Sequence, residues 1–125
     1  MTVEDINILC RAIYNQNKAK GFWDDNPKDR NFGELLMLVT SELGEALEAD
    51  RKGNRVLQKD LQSVSEEFDE GRFKELIKDT VEDEVADAVI RLFDMCGALN
   101  IDLGKHMELK LRYNDSRESK HGKAY

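Results

Sequence analysis

Apolar residues recur at helical spacing along most of this chain, and no stretch shows the apolar–polar alternation of a strand. The chain is therefore expected to be all-α, a helical bundle of four to five helices whose apolar stripes pack on one another. Thr2 predicts the cap of a first helix, with Asp5 in its first turn and Val3, Ile6, Leu9, Cys10, Ile13 and Tyr14 on its buried side. Gly21 ends it. Residues 21–30, GFWDDNPKDR, hold the sole proline and read as a loop that carries Phe22 and Trp23. Asn31 with Glu34 starts a second helix, which stops near Gly53. Over 54–78, the spacing of Leu57, Leu61, Val64 and Phe68 predicts an extra amphipathic helix, interrupted at Gly71 and followed by a connector. Asp79 with Glu82 predicts the cap of a third major helix that ends at Gly97 to Asn100, with Glu82 and Asp83 as cap and dipole residues. Asp102 predicts the cap of a last helix from Leu103 to about Tyr113, and a polar tail, expected to order only on contact, runs from Ser116 to Tyr125.

At 125 residues the chain is expected to form one domain, residues 1–125, that buries a core without staples. A net charge of −7 argues against a nucleic-acid backbone or an anionic membrane as the main partner. Cys10 and Cys96 sit at apolar helical positions without metal-ligand spacing, so both read as small core residues in a reducing compartment. Glu4 and Asp5 are incompatible with a signal peptide at the N-terminus, and no apolar run approaches bilayer length, so a cytoplasmic location is expected.

Chemistry enters with two pairs of acids. Glu42 with Glu45, and Glu84 with Asp87, are each three residues apart, which puts each pair on one helical face. Glu42 stands at the edge of the stripe Leu35, Leu38, Val39, Leu43 and Ala46, and Glu84 flanks Val81, Val85, Ala88, Val89 and Leu92. If the stripes pack together, four acids meet beside a core. Such a cluster is costly unless a cation compensates it, and oxygen-only ligands select Mg²⁺ or Mn²⁺ over zinc.

A basic set lies near the other end. Lys110, Asn114 and Arg117 are spaced by four and three, which aligns them on one face if the last helix reaches Arg117, and Lys120, His121 and Lys123 follow. An arginine fork, a lysine and an amide at this spacing suit successive phosphate oxygens. Cation ligands together with basic side chains are the equipment of phosphoryl transfer.

The stretches SELGEALEADR (41–51), DEVADAVIRLFD (83–94) and KLRYNDSRESKHGK (110–123) together resemble the MazG-like all-α nucleoside triphosphate pyrophosphohydrolases. The resemblance implies hydrolysis of a nucleoside triphosphate to the monophosphate and pyrophosphate. It implies Mg²⁺ on Glu42, Glu45, Glu84 and Asp87, with Lys110, Asn114 and Arg117 on phosphate oxygens. It also implies a homodimer or homotetramer with pockets near the subunit contacts, completed by Phe22 and Trp23 or by the tail from Arg117. Ser41 stands where many members carry a second acid, and the gap from Glu45 to Glu84 is longer than usual.

Within that reading Glu45 is the candidate for positioning the attacking water, and Trp23 either stacks on the base or packs over the end of the first helix. Two alternatives stand beside it. A di-iron carboxylate bundle would need His at the positions held by Glu45 and Asp87, whereas His106 and His121 lie elsewhere. A non-enzymatic acidic helical interaction module would use the acids for solubility alone.

Overall fold

A computed structural model describes residues 2–117. Among them are six α-helices, a 3-10 turn at Pro27–Asp29 and no strand, in keeping with an all-α chain. The helices are α1 (Val3–Ala19), α2 (Phe32–Arg51), α3 (Gln58–Glu66), α4 (Glu70–Leu76), α5 (Val81–Ala98) and α6 (Leu103–Ser116). The count exceeds the expected four to five because the segment read as one amphipathic helix is two. The backbone leaves helical geometry at Glu67, and Asp69 accepts from Arg72 N at 3.0 Å to cap a new helix. Gly71, expected as the interruption, lies inside α4.

Three predicted caps form as read. Thr2 and Asp5 make a reciprocal capping box on α1, Asn31 accepts from Glu34 N, and Asp102 accepts from Lys105 N. The cap of α5 is displaced by one residue. Thr80 Oγ1 accepts from Asp83 N at 3.2 Å, and Asp83 reaches back to Asp79 N at 3.0 Å. Asp79 itself takes a left-handed turn with φ 67°. Glu82, expected in the cap, instead accepts from Val56 N and pairs with Arg55.

The described residues group into two compact units. The terminal unit comprises the chain up to Asp29 and from Phe93 onward; the central unit is Arg30–Leu92.

In the terminal unit α1 packs on α6. Gly104 on α6 permits the close approach, since a Cβ there would collide with the carbonyl of Val3, and Gly97 near the end of α5 lies equally tight against the carbonyl of Cys10. Asn7 clamps the turn into α6, donating to Asp102 Oδ1 at 2.7 Å and accepting from Gly104 N at 2.9 Å. Cys10 and Cys96 are buried and unpaired, and burial pushes both thiols up, as suits core residues. The tail cations Lys120, His121 and Lys123 lie outside the described residues.

In the central unit α3 packs on α4. The link after α2 is pinned to the start of α5, because Asn54 O accepts from Val81 N at 3.0 Å. That bond sets the end of α2 beside the acids at the start of α5. No helix among the described residues is long and apolar enough to cross a membrane.

Candidate metal centre

The buried line of α2 is Val39, Glu42, Ala46 and Ala49, which places Glu42 within the buried stripe rather than at its edge. Leu38, Leu43 and Leu47 of the same helix are exposed. On α5 the pattern repeats: Glu84 and Ala88 are buried while Val85 and Val89 are exposed. Small residues on both helices, Ala46, Ala49 and Ala88, leave room for carboxylates between the backbones.

Oxygens of Glu42, Glu84 and Asp87 all lie within 4.8 Å of one another. Glu42 is 9% exposed and Glu84 5%. Glu45, the fourth acid expected, is exposed, stands within hydrogen-bonding reach of Glu84 and lines a groove of about 300 Å³. Glu48, Ala49, Lys52, Asn54, Asp79 and Glu84 complete that groove. All four acids therefore gather in the central unit. Ser41 donates to Leu38 O at 2.7 Å and turns back on its own helix.

Electrostatics separate the acids. Burial, then the adjacent Glu45 and Glu42 carboxyls, push Glu84 from its ordinary 4.5 up to about 8, so without a cation it holds a proton at neutral pH. Burial also raises Asp87, helped by Asp83 and Glu42 and opposed by Arg91. For Glu42 burial pulls upward most strongly, yet the hydrogen bond that Arg91 donates, with its positive charge and the adjoining carboxyls, outweighs it and holds the group below its usual range. Glu84 Oε2 is buried with no hydrogen-bond partner. A buried polar oxygen without a partner is costly, and in this cluster a retained proton or a bound cation can relieve the charge.

Helical spacing alone does not single out Arg91. Its Nε donates to Glu42 Oε1 at 2.8 Å, so a fixed positive charge already offsets part of the cluster. Lys52 and Asn54 in the groove likewise escape a reading of the sequence. The available signals are weak: Arg91 falls four residues after Asp87, and Lys52 lies two turns beyond Glu45.

The other expected residues lie in the terminal unit. Trp23 is 5% exposed; its Nε1 donates to Asp94 at 3.0 and 3.1 Å, and its ring meets Tyr14 edge-on at 5.6 Å. The ring packs over the end of α1, one of the two placements expected for it. Asn17 completes the arrangement by donating to Asp94 Oδ2 at 3.0 Å. Phe22 is exposed.

Lys110 and Asn114 lie on α6, but the expected common face stops short of Arg117. The helix closes at Ser116, and Arg117 is extended, with φ −91° and ψ 155°. Lys110 Nζ and the Arg117 guanidinium instead converge on the ring of Tyr113, at 5.2 and 5.0 Å.

No family model, curated protein or solved structure matches the chain.

Proposed function

We propose that the chain is a Mg²⁺-dependent pyrophosphohydrolase that splits a nucleoside triphosphate into monophosphate and pyrophosphate, with Mn²⁺ as a substitute ion. The observation that carries the reading is the unpartnered Glu84 Oε2 among the oxygens of Glu42 and Asp87. The donor set fits a hard divalent cation, being all oxygen and without His or Cys. Glu42, Glu84 and Asp87 would hold the ion, with Glu45 at the groove edge. A bound cation would supply charge neutralisation on the phosphates and a lowered water pKa.

The protein's own contribution follows from placement. Glu45, exposed in the groove, orients the attacking water by accepting its hydrogen bond. Lys52 and Asn54 offer donors to phosphate oxygens along the same groove. The resemblance assigns Lys110, Asn114 and Arg117 to phosphate contacts as well. Glu84 must lose its proton for the ion to bind, which couples occupancy to pH.

A homodimer or homotetramer belongs to this reading. Leu36, Met37, Leu43 and Leu47 on α2 and Met107, Leu109, Leu111 and Tyr113 on α6 are exposed. Apolar surface on that scale favours a shared bundle between identical chains. The acidic net charge favours a small metal-bound substrate over a polymer of phosphates.

The test is incubation with a panel of canonical and modified nucleoside triphosphates and Mg²⁺, with products identified. Monophosphate and pyrophosphate are expected from at least one of them. Diphosphate and inorganic phosphate, or no product from any triphosphate, would overturn the proposal.

A further inference from the structure

We propose that Cys10 and Cys96 hold a soft monovalent cation, Cu(I), between their two sulfurs in a cavity of the terminal unit. The assignment does not depend on the acids of the central unit. A cavity of about 200 Å³ is lined by both cysteines, together with Asn7, Arg11, Asn100 and Asp102. Cys10 is 2% exposed and Cys96 5%, and neither thiol is in a disulfide. Gly97 lies tight against the carbonyl of Cys10, which brings together the backbones that carry the two thiols. The residues are far apart in sequence, so spacing along one helix cannot show that they share a cavity.

The donor set selects the ion. Asn7 spends both ends of its amide, donating to Asp102 Oδ1 at 2.7 Å and accepting from Gly104 N at 2.9 Å. Asp102 Oδ1 also accepts from Lys105 N at 3.1 Å. The cavity therefore offers two sulfurs as its soft ligands, too few for the four-coordinate shell of zinc and of the wrong kind for Mg²⁺ or Ca²⁺. Burial pushes both thiols up, so each carries its proton at neutral pH. Binding exchanges those two protons for one ion: two S–H bonds break, two S–Cu bonds form, and copper stays Cu(I) throughout. Two thiolates and one monovalent cation leave a single negative charge. Arg11, exposed and lining the same cavity, supplies the positive charge that offsets it, and its guanidinium already favours the ionised form of Cys10.

The experiment offers Cu(I), held by a coloured chelator without oxygen, to the reduced full-length chain and reads transfer from the loss of colour. One ion per native chain is expected. Cys10→Ala and Cys96→Ala should each abolish the transfer, and Arg11→Gln should weaken it about fivefold, as for loss of one favourable charge near the surface. X-ray absorption at the copper edge of the native complex needs no variant and so decides the matter should either cysteine variant unfold. It should show two sulfur neighbours and no nitrogen or oxygen neighbour. No transfer to the native chain would overturn the site, as would undiminished transfer to either folded cysteine variant or a copper shell of nitrogen and oxygen. Zn²⁺ taken up by the two thiols as tightly as Cu(I) would overturn the choice of a monovalent ion.

Discussion

Arg91 Nε donates to Glu42 Oε1 at 2.8 Å, which sets a guanidinium from α5 against the most deeply placed acid of α2. The pair stabilises a cluster that would otherwise carry uncompensated negative charge between two helices. A charge-assisted bond is worth about 1.5 to 3 kcal/mol, and partial exposure of Arg91 brings this to about 1 kcal/mol. Arg91→Met, which keeps the apolar stem, is expected to lower the melting temperature in chelator. Saturating Mg²⁺ should recover most of that loss, because the ion replaces the missing charge. Thermal unfolding with and without Mg²⁺ checks both parts.

Glu84 sets the pH dependence. Its folded-state pKa is raised from 4.5 to about 8, so over that interval the folded chain keeps a proton that the unfolded chain has lost. Stability from this group is therefore greatest below pH 4.5, falls as pH rises, and reaches its minimum above about 8. Metal-free protein should lose on the order of a few kcal/mol across that window, and Glu84→Gln should flatten the profile. Cation affinity runs the other way, rising toward pH 8 as the proton is displaced. Denaturant unfolding and Mn²⁺ titration at matched pH values measure the two trends.

Trp23→Phe removes the indole N–H from Asp94 while keeping an aromatic against Tyr14. The expected cost is about 1 to 2 kcal/mol of stability, as for loss of a buried hydrogen bond to a carboxylate. KM for the triphosphate should be unchanged. A raised KM with unchanged stability would assign Trp23 to the substrate.

Lys110→Ala and Arg117→Ala test the assigned phosphate contacts. Each should raise KM, by about tenfold or more for every charge-assisted hydrogen bond removed, and leave Mn²⁺ affinity alone. Both side chains also lie over Tyr113, and a stability loss with native kinetics would assign them to that ring instead. Steady-state kinetics of the single variants and the double variant separate these outcomes.

What is legible in the sequence is local. The caps at Thr2, Asn31 and Asp102 depend on residues three apart, and all three form. The acid pairs are legible for the same reason, since i and i+3 share a helical face. Thr80 and Asp79 both offer capping side chains, and the left-handed turn at Asp79 decides between them. The split of the 54–78 segment depends on Asp69 competing for the backbone at a point where apolar spacing continues unbroken. Trp23 finds its partner in Asp94, 71 residues away, and Arg91 meets Glu42 across 49 residues; spacing along one helix cannot show such pairs. Burial of Glu42 in place of the larger leucines cannot be foreseen either, because apolar periodicity assigns the inside to Leu.

Pyrophosphate release from a nucleoside triphosphate by native protein and by Glu84→Gln, each with Mg²⁺ and each with the same helical spectrum, tests the central claim most directly. Glu84→Gln keeps the shape of the side chain and removes the charge that a cation needs. The account predicts monophosphate and pyrophosphate from the native chain and none above background from the variant. Equal turnover in the folded variant would contradict it.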